Sequence, residues 1–289
     1  MKKLVTAFAL CAAMSAMAQS VESENIVGYS STTLTNEFNM IGVNFEAIGG
    51  GQADLNKMIT PTGLVGVDWA GTGDPKDQLL VWDPDAQGYP VFYSWTGADA
   101  ESSGGCEAGT NNKWVNLGAW NGDLAGLPVI NVPVGGAAWI QRASAVGAAS
   151  VTFAGQVNTN SATLELKAGF NMFANAMPVV VDMNNSAKVT FTGLDGVDWA
   201  GTGDPKDQLL VWDPAAQGYP VFYSWTGADA ESSGGCEAGT NNKWVNLGAW
   251  NGDVAGLPVI NLPVGGASWI QRTTTILPTP SASINISGL

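Results

Sequence analysis

The chain reads as an all-β protein of two tandem β-sandwich-like or barrel-like domains, and three features predict this. Thirty-seven glycines and fourteen prolines interrupt it too often for long helices. Short runs of β-branched and aromatic residues alternate with turn text at close spacing. One long passage also occurs twice: Gly63 to Arg142 aligns without a gap to Gly193 to Arg272, the copies differing at Val65/Asp195, Asp85/Ala215, Leu124/Val254, Val132/Leu262 and Ala138/Ser268. A fainter likeness extends past both edges, pairing "FNM" at Phe38 with "FNM" at Phe170 and "SVTFAG" from Ser150 with "SINISG" from Ser283. An old duplication of a whole unit thus contains a young one, and a unit of about 130 residues is of ordinary domain size.

In chain order, Lys2-Lys3, the apolar stretch Leu4 to Ala13 and the small-residue site Ala16-Met17-Ala18 read as a secretory signal peptide over residues 1–18. Unit 1 then spans residues 19–157 and unit 2 residues 158–289. "IVGYSSTTL" and "VTFAG" read as strands; "ADLNKMI", stopped by Pro61, is the one helix, without a counterpart in unit 2. "QLLVWD" and "YPVFYSW" form a hairpin around "PDAQG". "KWVNLGAW" and "LPVINVPV" flank Asn121-Gly122, a tight-turn dipeptide, and read as a second hairpin.

Composition removes several functions. The formal charge of −14 becomes about −16 without Lys2 and Lys3, which repels phosphate backbones, so nucleic acid is not an expected partner. No other stretch has the length of a membrane span. With no histidine, a Ser-His-Asp relay or a histidine-bound zinc cannot be built. The expected setting is an exported one: periplasm, cell surface or extracellular space.

The fragments "FNMIGVNF", "LLVWDPDAQGYPVF" and "VPVGGAAWIQR" followed by "SVTFAG" resemble, in this order, a loosely defined group of secreted bacterial β-rich repeat proteins. In that group a "G-[FY]-N-M-I" strand opens the domain, a "W-x-x-x-x-x-G-Y" hairpin follows, and a "P-G-x-G-[FWA]-W-[IV]" turn and strand closes it. Glu37 stands where the pattern has glycine, whereas Gly169 keeps it; Val134 is inserted between Pro133 and Gly135-Gly136. The resemblance implies an exported structural or binding protein and supplies no catalytic residues.

All twelve tryptophans fall in the copied passage. Alternation along "YPVFYSW" sets Tyr89, Val91, Tyr93 and Trp95 on one face and Pro90, Phe92 and Ser94 on the other. That aromatic row is either the sandwich core or a platform on which sugar rings stack. In the second case the loop-side indoles Trp69, Trp114 and Trp120, with Trp199, Trp244 and Trp250, are the binding residues. Asp68, Asp74 and Asp77, repeated as Asp198, Asp204 and Asp207, form an oxygen-rich set suited to calcium, the one cofactor the sequence points to. Asp83 and Asp85 form a second pair, which Ala215 breaks in the copy. A carboxylate-run glycoside hydrolase needs two acids facing across a cleft, which sequence spacing does not establish. Cys106 and Cys236 occupy equivalent positions, and a bond between them requires units related by a pseudo-twofold axis. The leading expectation is a non-enzymatic surface or matrix protein; the alternative is a carbohydrate-binding protein, with polysaccharide, other surface components or a second copy as partners.

Overall fold

The computed structural model describes residues 26–49, 53–66, 76–95, 107–116, 120–143, 147–157, 161–197, 206–225, 237–246, 251–273 and 282–286. The first half contains β1 (Val27–Leu34), β2 (Glu37–Gly42), β3 (Phe45–Glu46), a single helical turn α1 (Leu55–Met58), β4 (Ile59–Thr62), β5 (Gln78–Val81), β6 (Val91–Trp95), β7 (Lys113–Val115), β8 (Ala137–Arg142) and β9 (Ala149–Val157). The second half contains β10 (Ala162–Leu166), β11 (Gly169–Ala174), β12 (Val181–Asp182), β13 (Val189–Thr192), β14 (Gln208–Val211), β15 (Val221–Trp225), β16 (Lys243–Val245), β17 (Asn261–Leu262), β18 (Ala267–Arg272) and β19 (Ala282–Ile286). The fold is all-β, as expected.

Each ladder between these strands is antiparallel and joins strands of the same half. We call residues 26–157 unit 1 and residues 161–286 unit 2. In unit 1 one sheet runs β1-β9-β3 with β4 also on β9, and the other runs β2-β8-β5-β6-β7. Unit 2 repeats this as β10-β19-β13 and β11-β18-β14-β15-β16. The first strand of each unit pairs with its last, Thr32 opposite Val151 and Leu164 opposite Ile284. The faint "SVTFAG"/"SINISG" likeness therefore marks the strand that closes the unit.

Both sheets give alternate residues to one core, as sandwich layers do. In unit 1 Val151 and Phe153 of β9 meet Ile41, Leu79, Ile140 and Trp114 from the other sheet. In unit 2 Phe191 and Ile284 meet Phe173, Leu209, Ile270 and Trp244.

Two sequence readings need correction. "LPVINVPV" forms no hairpin strand with "KWVNLGAW": it contributes only a bridge from Asn131 to Asp54, and in unit 2 the short β17 paired with β12. The Asn121-Gly122 segment is instead a polar loop, with the Trp120 indole donating to the Asp123 carbonyl. The helix is one turn, and its polar staple does have a counterpart. Asn56 accepts from Trp114 N at 2.8 Å and donates to the carbonyls of Trp114 and Pro128; Asn184 makes the same three bonds to Trp244 and Pro258. Asp54 and Asp182, two residues earlier, each accept backbone amides from both sides of that staple.

The units meet through the outer faces of their five-stranded sheets, about a pseudo-twofold axis. Gly42 N donates to Gly265 O at 2.8 Å, and Ala174 N donates to Gly135 O at 2.6 Å. The Gln87 amide brackets Phe170, accepting from its N–H at 2.9 Å and donating to its carbonyl at 3.2 Å. Gln217 brackets Phe38 in the same manner at 3.2 and 3.3 Å. A side-chain amide here completes the outermost rung of a strand in the other unit. Both glutamines sit at hairpin tips with left-handed backbone, φ 48° and 46°.

The looser bracket belongs to the side with Glu37. Glu37 has φ 66° where Gly169 has φ 84°, so the glycine of the opening motif answers a left-handed position, and glutamate holds it under strain. We expect Glu37→Gly to stabilise the chain by about 1 kcal/mol, a rise in Tm of about 2–4 °C for a protein of this size. Gly169→Ala should lower Tm, because its methyl group would press on the Gln87 amide. Thermal unfolding of both variants checks the pair.

Candidate binding cleft

The sequence reading put the aromatic row of "YPVFYSW" as a unit, in the core or on a platform, and the structure splits it. Phe92 packs against the main core. Trp95 and Tyr93 turn to the other side, into a satellite cluster with Val115, Trp120 and Leu127. Tyr89 points into the seam between the units.

The seam gathers its aromatic residues by strand alternation. In β8, Ala138 and Ile140 face the core while Ala137 and Trp139 face outward; in β2, Ile41 faces inward and Met40 outward. These outward residues, with Met172, Ala174, Ala267 and Trp269 of unit 2, form one buried cluster flanked by Leu80, Trp82, Leu210 and Trp212. Indoles lock across the axis in edge-to-face pairs: Trp82 on Trp269 at 4.9 Å and 88°, Trp139 on Trp212 at 4.8 Å and 89°. Phe38 and Phe170 stand edge-on to Trp139 and Trp269 of their own units. Trp82 Nε1 donates to Phe170 O at 3.0 Å, whereas Trp212 Nε1 has no partner among the described residues, which again places the looser side at Glu37.

Over this floor lies a cleft of two lobes that share Tyr89 and Tyr219. One, of about 470 Å³, is bordered by Phe38, Trp139, Trp212, Glu37, Gln141 and Gln217; the other, of about 230 Å³, by Trp82, Phe170 and Trp269. Phe38, Tyr89, Phe170 and Tyr219 remain 36–39% exposed, an uncommon grouping of open rings on one surface. Polar atoms at the rim are the two phenol hydroxyls, the Gln141 and Gln217 amides and the Glu37 carboxylate. Two further pockets flank the seam, walled by copied residues on one side and by diverged strands on the other: Leu164 and Leu166 in one, Thr32 and Thr33 in its counterpart.

Burial raises the Tyr219 phenol to about 12; the Trp269 indole donating to its oxygen at 3.2 Å works against this, and Tyr89 nearby adds to it. Tyr89 is raised by burial in the same way, offset by its bond with Trp139.

Three of the six indoles expected at the platform, Trp114, Trp120 and Trp244, lie elsewhere. Trp114 and Trp244 are each 1% exposed in the two main cores, and Trp120 is 7% exposed against Trp95, so none offers a ring face to a ligand. Trp69, Trp199 and Trp250 lie outside the described residues, as do Asp68, Asp74, Asp198 and Asp204. The remaining calcium candidates are committed to folding. Asp77 is fully buried, accepts from Val65 N and Ala143 N at 2.9 and 2.6 Å, and faces the Arg142 guanidinium at 3.6 Å. Asp207 does the same with Asp195 N, Thr273 N and Arg272. Each arginine in turn donates to backbone carbonyls, Arg142 to Gly147 and Gly63, Arg272 to Leu166 and Gly193. No group of three metal-binding side chains occurs among the described residues. Asp83 caps its own turn, accepting from the amides of Asp85 and Ala86, and Asp85 reaches Lys167 of unit 2 in an exposed pair. Cys106 and Cys236 lie outside the described residues.

The sequence did contain a signal for the cleft. "NMIG", "QLLVW" and "AAWIQ" carry apolar residues on both faces of a strand, which an antiparallel sheet shows when neither face meets water.

Two measurements follow. Asp77→Ala removes one partner of a buried charge pair and should cost about 3–5 kcal/mol in denaturant unfolding. The loss should be equal in calcium and in chelator, since the carboxylate serves backbone amides. For Tyr219, the folded chain favours the neutral phenol, so its stabilisation is complete below pH 10 and is lost between pH 10 and about 12, as the unfolded chain ionises first. Phenolate absorbance should therefore contain a late step that Tyr219→Phe removes.

No protein-family model matches this chain, and no curated protein or solved structure compared with it does either, so the cleft stands on its own geometry.

Proposed function

We propose that the chain is a non-enzymatic surface or matrix module that binds polysaccharide in the aromatic cleft between its units. The observation that carries this is four half-open rings, Phe38, Tyr89, Phe170 and Tyr219, held over locked indoles with amide and hydroxyl groups at the rim. The apolar face of a pyranose stacks on such rings while its hydroxyls take the polar rim. The strong negative charge favours a neutral glycan over an acidic one. The leader read at residues 1–18 supports an exported setting. Among the described residues Glu37 is the one carboxylate bordering the two lobes, whereas glycoside hydrolysis uses a pair, which favours binding without turnover.

A second reading keeps the matrix role without a ligand. It is favoured by the indoles described here, all of which are buried or half-buried packing residues.

Affinity electrophoresis through a panel of neutral polysaccharides separates the two. We expect retardation by at least one glycan, reduced about tenfold in affinity in a Tyr89→Ala, Tyr219→Ala variant. Unretarded migration in every gel would leave the ligand-free reading. Retardation kept in that variant but lost in Trp69→Ala, Trp199→Ala would move the site to those two indoles.

A further inference from the structure

The seam is self-complementary. Gln87 on Phe170 is matched by Gln217 on Phe38, Trp82 on Trp269 by Trp212 on Trp139, and Gly42 on Gly265 by Ala174 on Gly135. Such an isologous surface fits a copy of itself. No ladder between the described strands joins the units, so parting them breaks the seam without unravelling a sheet. Between β9, ending at Val157, and β10, beginning at Ala162, the connection is short, a circumstance that favours exchange of units between chains.

One position limits which copies fit. Gly42 and Ala174 are equivalent in the two units and face each other at the axis. A methyl group on Gly42 would collide with the Ala174 methyl and crowd the carbonyls of Gly265 and Gly266 at 3.1 Å, all of them in unit 2. A pair of glycines leaves room there, and a pair of alanines does not.

We infer that the seam is an exchangeable coupler between copies of this chain, in which unit 1 accepts unit 2 or unit 1 of a second chain and unit 2 rejects unit 2, with Gly42 and Ala174 setting the rule. Linkage within one chain gives the closed form an effective concentration in the millimolar range, so dilute protein is a closed monomer and crowded protein exchanges. This inference does not depend on glycan binding in the cleft.

The test uses the full chain. Donor-labelled and acceptor-labelled chains are unfolded together, refolded at about 1 μM or about 1 mM, and analysed by size exclusion with light scattering and energy transfer. Wild type should give at least about tenfold more energy-transferring dimer at the higher concentration. Ala174→Gly, which permits all pairings, should give more than wild type. Gly42→Ala should give less, and should open the monomer, with a larger radius of gyration in solution scattering. Adding Ala174→Gly to Gly42→Ala moves the glycine to the other side and should restore both closure and wild-type exchange. That double variant also guards against misfolding: failure to restore either property overturns the rule. Wild type that refolds to monomer alone at both concentrations overturns the coupler, as does Gly42→Ala that exchanges as well as wild type.

Discussion

The molecule depends on covering sheets that are apolar on both faces. One face of β2, β8 and β5 builds the unit's own core, and the other carries Met40, Trp139 and Leu80, which water would penalise. In this chain the cover is a second sheet of the same kind. Edge-to-face indoles, two backbone hydrogen bonds and the two glutamine brackets then fix how the faces register. The cleft is a by-product of this arrangement, because the rings at the margin of the seam, Phe38, Tyr89, Phe170 and Tyr219, stay partly open.

Much of the fold was legible. Turn text and β-branched runs located the strands; the matching "FNM" fragments marked the second strand of each unit, β2 and β11, and "SVTFAG"/"SINISG" the closing one. Short apolar words misled where tertiary context decided. "LPVINVPV" has the composition of a strand, but its backbone bonds are divided between the side chains of Asp54 and Asn56 and the main chain of Ala53 and Leu55. Asn56 and Asn184 were missed because a buried side-chain staple has no periodicity to detect.

The candidate site was less legible for a similar reason. Proximity to loops suggested exposure for Trp114 and Trp120, yet alternation along β7 and the satellite cluster bury them. Asp77 sat in an acidic glycine-rich passage and read as a cation ligand, whereas its oxygens tie the chain ends that flank β5 and β8. Tyr89, Tyr219, Phe38 and Phe170 required knowledge of which sheet faces meet, and that is set by two distant passages at once.

The pseudo-twofold seam bears on how such a chain tolerates change. Because residues of the copied passage supply most of both rims, one altered letter present in both copies is felt at two places on the axis. A modest gain or loss at Trp82 or Gln87 is thereby doubled, while drift in a single copy unbalances the match. Overwriting one copy with the other renews both rims together, which gives the near-identity of the two passages a mechanical advantage as well as an ancestry.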